Sequence, residues 1–188
     1  MKNEMLNDLE KVLFDEAQIA ERIAKVAAEI DRDYAGKKPI MIAVLKGSVM
    51  FYTDLMKKMN IMAEMDFMAI SSYGNETKSS GEVKMIKDLD RCIEGRHIVI
   101  VEDIVDTGYT LNYLKATLST RNPASIKVCS LLNKKERREV NVEPDYVCFE
   151  VGNEFVVGYG LDYAQFYRNL PVIGVLKKEV YRDSIRHH

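Results

Sequence analysis

The feature that most constrains the fold is a regular alternation between short apolar runs and amphipathic helical segments. Residues 14–34 carry apolar side chains at helical spacing, behind Asp15 and Gln18, which are placed like a capping box. Continuous apolar strands follow in KKPIMIAVL and IMAEMDFMAI, and a helix is predicted between them. The remaining elements are a strand at 97–103, a helix at about 110–119, strands in SIKVCSLL and YVCFEV, and the apolar pieces FVVGYGL and LPVIGVL. Such alternation predicts an α/β fold, a parallel twisted sheet flanked by helices on both faces.

The size and charge of the chain limit the class of protein. A chain of 188 residues with 47% hydrophobic residues fits one domain with a sizeable core. The formal net charge of -2 favours neither a nucleic acid nor an anionic membrane as partner. The apolar runs are far shorter than the about 20 residues that span a bilayer. We therefore expect a soluble, cytoplasmic protein.

Three cysteines, Cys92, Cys129 and Cys148, are far apart and lie among apolar residues. An odd number at such spacing does not suit a disulfide framework or a zinc site. We therefore expect all three to be buried, reduced thiols.

The segment HIVIVEDIVDTGYTL, residues 97–111, places three carboxylates where an apolar strand ends. In parallel sheets ligands bind beyond the carboxyl ends of the strands, which is where Glu102, Asp103 and Asp106 fall. The turn DTGYT leads into a helix, whose free N–H groups and positive dipole end can hold a phosphate. Paired carboxylates nearby can bind sugar hydroxyls or a divalent cation. The segment therefore predicts a site for a phosphorylated sugar, with Asp106 as an ordinary helix N-cap the open alternative.

Residues 71–81, SSYGNETKSSG, form the least apolar stretch of the chain. Its Ser, Gly and Asn content indicates either a mobile loop or an ordinary hairpin connection. Composition alone favours neither.

Four segments carry a resemblance to a known family. VIVEDIVDTGYTL closely resembles the phosphoribosyl-pyrophosphate signature of the type I phosphoribosyltransferases. The other segments are similar to the hypoxanthine-guanine branch in its short bacterial form. They are VLKGS for its pyrophosphate loop, SSYG for the start of its catalytic flap, and LLNKK and FVVGYGLDYAQFYRNLP for its purine-binding elements.

The resemblance implies which residues bind phosphoribosyl pyrophosphate. Two acidic residues are expected to hold the ribose hydroxyls, a five-residue turn to wrap the 5′-phosphate, and a loop with a distant arginine to bind pyrophosphate. In that order these residues are Glu102 and Asp103; Asp106, Thr107, Gly108, Tyr109 and Thr110; and Lys46, Gly47, Ser48 and Arg168. The implied cofactor is Mg²⁺, with Glu102, Asp103 and Asp162 as its expected ligands.

The resemblance also implies a reaction on small molecules. Ribose 5-phosphate would move from pyrophosphate to a ring nitrogen of hypoxanthine or guanine, with Asp106 as general base. Lys134 is expected to donate to the 6-oxo group of the base. Ser72 and Tyr73 are expected to belong to a flap that closes over the reacting centre. The expected purine-binding residues are Lys134, Phe155, Val156 and Asp162.

The family's organisation implies a single domain over residues 1–188 and a homodimer or homotetramer. A small hood is expected from N- and C-terminal segments. The resemblance further implies that the Lys46–Gly47 peptide bond can be cis. The expected parts are a core at about 36–150, a hood from the N-terminal segment and about 151–180, and a disordered tail at 183–188.

Two alternative functions remain open on the sequence. One is a xanthine-preferring phosphoribosyltransferase, and the other is a non-catalytic regulator of the same fold that binds phosphoribosyl pyrophosphate. Taken singly, Lys46 and Lys134 could be solvated lysines, since the run NKKERRE is typical of a wet surface. Phe155 could be core and Arg168 a surface ion-pair partner. Only the joint pattern favours catalysis.

Overall fold

The computed structural model describes residues 3–73 and 82–182 and has nine strands and four α-helices in that part of the chain. The strands are β1 (Leu9–Phe14), β2 (Ile40–Leu45), β3 (Glu64–Tyr73), β4 (Glu82–Lys87), β5 (His97–Val105), β6 (Ser125–Asn133), β7 (Tyr146–Glu150), β8 (Val156–Val157) and β9 (Ile173–Leu176). The helices are α1 (Glu16–Asp33), α2 (Val49–Lys58), α3 (Tyr109–Ser119) and α4 (Lys178–Arg182), with 3-10 helices at Glu4–Asp8 and Lys135–Arg137.

Six strands form the central sheet in the order β4-β3-β2-β5-β6-β7. Every neighbouring pair is parallel except β3 and β4, which pair antiparallel at the edge. The connections after β2, β5 and β6 therefore leave the same edge of the sheet, side by side. This confirms the predicted α/β fold and fixes where a ligand site can form.

The two faces of the sheet are covered by different helices. Helix α1 begins with the predicted capping box, in which Asp15 accepts from the Gln18 backbone and the Gln18 side chain accepts from Asp15. Its apolar stripe, including Ile23 and Ile30, packs with α2 against one face. Leu111, Leu114 and Leu118 of α3 pack against the other. Burial on both faces explains why the central strands are continuous apolar runs.

A second, three-stranded antiparallel sheet has the order β1-β9-β8. It joins an N-terminal strand to C-terminal ones, as expected for a hood, and it carries a small core of its own. That core consists of Leu9, Val157, Leu170 and Leu176. This sheet positions Phe155 and the segment at 158–170 above the central sheet's carboxyl edge.

Three expectations from the sequence need correction. Strands β1 and β4 were not predicted, because their short runs mix charged and apolar residues and pair with distant or antiparallel partners. Cys92 is exposed in the connection between β4 and β5, whereas Cys129 and Cys148 are buried as expected. Ser71 does not begin a loop, because β3 runs on to Tyr73 and pairs there with β4. The hairpin alternative therefore holds for these flanking strands, and residues 74–81 lie outside the described part.

No helix in the described residues is sufficiently long and apolar to cross a membrane.

Candidate active site

Three connections meet at the carboxyl edge of the central sheet. They follow β2 at Lys46, β5 at Asp106 and β6 at Lys134. The Lys134 backbone N–H donates to the Val105 carbonyl at 2.9 Å, which ties the third connection to the second. The structure thus brings together residues that are up to 88 positions apart in the sequence.

The turn after β5 forms a pocket of about 240 Å³, lined by nine residues between Glu102 and Leu111. Gly108 is the N-cap of α3 and has a φ of +92°, in the left-handed region. No side chain caps this helix, so its first N–H groups have no side-chain acceptor. Thr107 and Thr110 line the pocket, whereas the Tyr109 side chain is exposed and does not. An anion-sized pocket at a free helix start fits the predicted phosphate site.

The two adjacent carboxylates lie in different surroundings from ordinary surface acids. Glu102 is only 5% exposed, and its Oε1 atom has no hydrogen-bond partner. Burial raises the pKa of Glu102 well above its ordinary value, and the nearby Asp103 charge adds to the effect. Burial also raises the pKa of Asp103 to about 6. Buried acids without a cationic partner are costly to the fold and are typical of functional sites.

Asp106 is not the N-cap of α3, because Gly108 occupies that position. Helix capping therefore does not explain why the sequence has a carboxylate at residue 106. Its carboxylate Oδ1 lies 2.9 Å from Arg137 Nε, in an ion pair whose angles do not make a hydrogen bond. Both side chains are partly exposed. The carboxylate therefore stays at the mouth of the pocket, where a ligand could replace Arg137.

The loop after β2 comes very close to Asp103. A Cβ atom on Gly47 would lie 1.8 Å from Asp103 Oδ2, so only glycine fits there. A Cβ on Gly160 would in turn lie 2.1 Å from the Gly47 carbonyl oxygen. The Ser48 hydroxyl is buried and donates to the Val44 carbonyl at 2.7 Å.

The expectation of a cis bond between Lys46 and Gly47 is wrong by one residue. In the described residues the cis peptide bond joins Leu45 and Lys46. Gly47 is explained by its close contact with Asp103. The glycine was therefore not a guide to the position of the cis bond.

Arg168 and Asp162 approach this loop from the hood. Arg168 Nη2 lies 3.2 Å from Asp162 Oδ1, and Nη1 donates to the Gly160 carbonyl at 2.7 Å. Gln165 bridges the group to Lys46, whose Nζ lies 3.5 Å from Gln165 Oε1. The Arg168 Nε atom is buried and has no hydrogen-bond partner. Cations from two distant segments thus converge on one loop, as pyrophosphate binding requires.

Lys134 is buried at 7% exposure and is not a solvated lysine. Its Nζ donates to the Glu154 carbonyl at 2.8 Å, and burial lowers the pKa of the ammonium. One donor site is satisfied by this bond, and an ammonium has three. The remaining donors are available to an acceptor on a ligand.

Phe155 follows Glu154 directly and keeps 40% of its surface exposed. Its ring stacks on Tyr181 of α4 with centroids 5.1 Å apart, and Tyr163 meets it edge-on at 5.8 Å. Val156 is buried in β8. An exposed aromatic face beside a buried lysine donor suits a flat heteroaromatic base.

The flap prediction lies partly outside the described residues. The backbones of Ser72 and Tyr73 belong to β3, their side chains are not described, and residues 74–81 lie outside the described residues.

Sequence reasoning missed the arginines of the 135–138 turn. Arg137 pairs with the Asp106 carboxylate, and the Arg138 side chain, 10% exposed, donates to the Asp106 carbonyl. Neither arginine was predicted to belong to the site, because the charge run NKKERRE has the composition of a solvent-exposed surface. The signal that could have found Arg138 is the apolar alternation of Val140 and Val142, which marks the segment as partly buried.

A larger pocket of about 580 Å³ lies between α1, α2 and the segment at 168–171. Of the predicted site residues, only Arg168 lines it. Its size alone carries no chemistry, so the smaller pocket at the sheet edge is the better candidate.

No group of three or more His, Cys, Asp or Glu side chains within residues 3–73 and 82–182 is arranged to hold a metal ion alone.

Comparison with known proteins agrees with this site. The profile of the phosphoribosyl transferase domain matches residues 11–164. A hypoxanthine-guanine phosphoribosyltransferase of Streptococcus pyogenes is 52% identical over 174 residues, which cover 93% of this chain and 97% of that protein. A bifunctional TilS/HprT protein of Listeria monocytogenes is 51% identical over 95% of this chain, which spans only 28% of that protein.

A solved structure extends the likeness to three dimensions. The crystal structure of a hypoxanthine phosphoribosyltransferase from Staphylococcus aureus superposes with a TM-score of 0.93 at 45% identity, covering 96% of this chain and 98% of that one. The sequence match and the fold agree, and the chain belongs to the phosphoribosyltransferase family.

Proposed function

We propose that the chain transfers the 5-phosphoribosyl group from phosphoribosyl pyrophosphate to hypoxanthine or guanine. The products are IMP or GMP and pyrophosphate. The observation that carries this proposal is the convergence at one edge of the turn at 106–110, the Glu102 and Asp103 carboxylates and the buried Lys134 donor. The similarity to hypoxanthine-guanine phosphoribosyltransferases over nearly the whole chain supports it.

The sugar pyrophosphate would bind across two of the connections. Its 5′-phosphate would occupy the pocket of the 106–110 turn, where helix α3 offers free N–H groups. Its ribose hydroxyls would donate to Glu102 and Asp103. The pyrophosphate would meet the Lys46 loop and Arg168, which supply positive charge as negative charge develops on the leaving group.

The base would bind between the hood and the third connection. Its ring would lie against Phe155, and its 6-oxo group would accept from Lys134. Adenine presents an amino donor at this position, which an ammonium cannot bond. Asp106 would release Arg137 and take the proton from the attacking ring nitrogen as general base. Carboxylates near the anomeric carbon would also favour the positive charge of the transition state.

Magnesium is the cofactor that family membership suggests. Mg²⁺ commonly binds through one or two carboxylates together with substrate oxygens, and not through an all-protein cage. The site fits this requirement, because Glu102 has a buried oxygen without a partner and Asp103 faces the Lys46 loop. When bound, the ion would neutralise charge on the departing pyrophosphate. The candidate ligands are Glu102, Asp103 and Asp162.

Pyrophosphate release with each base in turn tests the proposed function. We expect turnover with hypoxanthine and guanine and none with adenine. Faster turnover with xanthine would favour the xanthine-preferring alternative. Tight binding of phosphoribosyl pyrophosphate without turnover of any base would favour the non-catalytic regulator.

The proposal includes a cytoplasmic homodimer or homotetramer. The larger pocket between α1, α2 and residues 168–171 supports association of subunits, since it is lined in part by exposed apolar side chains such as Met50. Light scattering coupled to size-exclusion chromatography would give the number of subunits.

A further inference from the structure

The segment that follows β6 runs beneath the phosphate turn and is bonded to it along its length. Glu139 N–H donates to the Thr107 carbonyl at 2.9 Å, and Val140 N–H approaches the same oxygen at 3.4 Å. Val140 and Val142 also lie against Gly108, where an added Cβ would come within 3 Å of either. The turn thus rests on residues 138–143, which include none of the ligand-binding residues assigned above.

The Arg138 side chain is the central contact between these two pieces. Nη1 donates to the Asp106 carbonyl, and Nη2 donates to the Asn133 side chain. Nε donates to Glu143 at 3.1 Å. All three nitrogens of a rigid, planar group are therefore engaged, and little rotation is left to it.

These contacts determine which way the peptide groups of the turn point. In a planar trans peptide the C=O and the following N–H point in opposite directions. With the Asp106 carbonyl held by Arg138, the Thr107 N–H points away from Arg138. With the Thr107 carbonyl held by Glu139, the Gly108 N–H points away from the supporting segment as well. Thr107 and Gly108 line the pocket, so two consecutive amides are oriented to bind an anion placed there.

We propose that Arg138 is a positioning residue for the 5′-phosphate, which acts by fixing the orientation of the Asp106–Thr107 peptide. This inference rests on the proposed function, because the turn must bind a phosphate for the amides to matter. A merely structural arginine would support the fold and both ligands equally. A positioning arginine would affect the ligand's phosphate selectively.

The comparison of IMP with inosine isolates this effect, since inosine lacks only the 5′-phosphate. Arg138→Gln should weaken IMP binding by about tenfold to a hundredfold, the range for losing a charged hydrogen bond, while inosine binding changes less than about threefold. The KM for phosphoribosyl pyrophosphate should rise in parallel, and the KM for hypoxanthine should stay within about threefold. Calorimetry and steady-state kinetics measure both pairs.

Two further variants keep the test decisive. Arg138→Lys retains the charge but cannot reach the Asp106 carbonyl, Asn133 and Glu143 together, so it should lose IMP selectivity too, even if Arg138→Gln is insoluble. Lys135→Gln removes a cation of the same segment that pairs with Glu150 at 3.3 Å, and it should leave both affinities unchanged.

An unchanged ratio of IMP to inosine affinity in a folded Arg138 variant would overturn the inference, as would an equal loss of both ligands. Failure of the wild-type protein to bind IMP would instead overturn the proposed function, and this inference with it.

Discussion

The two ends of the central sheet differ in how their charged side chains are partnered. At the amino end, Glu64 binds Arg96 at 2.8 Å and Arg91 at 3.0 Å. Asp33 accepts from the Tyr146 hydroxyl at 2.6 Å. Glu64, Asp33 and Asp88, which pairs with Arg121, each have their pKa lowered, chiefly by hydrogen bonds from their partners.

At the carboxyl end the pKa shifts of the acids have the opposite direction. Burial raises the pKa of both Glu102 and Asp103. Of the four buried side-chain atoms without a hydrogen-bond partner in residues 3–73 and 82–182, three belong to Glu102, Asp106 and Arg168. The same sheet thus has acids with hydrogen-bond partners at one end and, at the other, buried charged groups with atoms that no hydrogen bond satisfies. The difference indicates that the carboxyl end is arranged for a ligand, at some cost to the stability of the free protein.

Removing the proposed base at the carboxyl end should have the largest effect. Asp106→Asn should lower kcat by about a hundredfold or more, because general-base catalysis contributes on that scale. The KM for phosphoribosyl pyrophosphate should stay within about threefold, since the turn's backbone is unchanged. Single-turnover kinetics separate the two quantities, and an unchanged rate of the chemical step would remove the assignment.

The purine donor should give the next largest effect. Lys134→Met should raise the KM for hypoxanthine and guanine by about tenfold to a hundredfold, since a charged hydrogen bond is lost. The KM for phosphoribosyl pyrophosphate should change little. Lys135→Met is the matched control, because Lys135 is exposed and faces Glu150. Equal KM values for the bases in wild type and Lys134→Met would mean that Lys134 only supports the Glu154 carbonyl.

A change at the amino end should affect stability and not catalysis. Asp33→Asn should lower the free energy of unfolding by about 1 kcal/mol at pH 7, through the weakened bond to Tyr146. Because the folded pKa of Asp33 is lowered, the wild-type advantage exists above about pH 4 and should disappear as the pH falls further. Urea unfolding at pH 7 and at a pH below about 4 measures this difference in the free energy of unfolding. A change in kcat/KM would contradict the expectation that a change at the amino end leaves catalysis unaffected.

The ion pair at the mouth of the pocket should give the smallest effect. Arg137→Ala should lower the KM for hypoxanthine by less than about fivefold, because the base must displace this partly exposed arginine from Asp106. Initial-rate measurements at saturating phosphoribosyl pyrophosphate provide the value. A raised KM would mean that Arg137 helps to orient Asp106 and does not compete with the base.

The sequence predicted the fold where burial is continuous. The apolar runs of β2, β5 and β6 and the capping box at Asp15 were sufficient to predict the parallel part of the central sheet and α1. Strand β1 was not predicted, because its partner, β9, lies more than 150 residues away in the sequence and local periodicity does not encode such pairing. Its short run, LEKVLF, also lacks the regular alternation of charged and apolar residues that would mark a strand.

The site was predictable as far as motifs reach. The turn at 106–110 and the carboxylates before it stand in one segment, and the structure places them at the expected edge. Local sequence could not reveal that Arg137 and Arg138 turn inwards, because their neighbours are mostly charged. Nor could it locate the cis bond, since Gly47 is required by a contact with Asp103, 56 residues further along the chain.

The buried Glu102 carboxylate is expected to lower the stability of the ligand-free protein. The most direct test is the free energy of unfolding of Glu102→Gln with and without phosphoribosyl pyrophosphate in magnesium buffer. Without the ligand at pH 7.5, the variant should be more stable than wild type by about 1 to 3 kcal/mol, the usual cost of an unsatisfied buried group. Because the folded pKa of Glu102 is raised, wild-type stability falls as the pH rises above about 4, the ordinary pKa of a glutamate, and this gap should widen with it.

With saturating ligand the order should reverse, because the wild-type carboxylate can accept from the ribose hydroxyls with both oxygens and the Gln amide with only one. Denaturant unfolding of the two proteins in both conditions gives the four free energies. A ligand-free wild type that is more stable than Glu102→Gln would contradict the account.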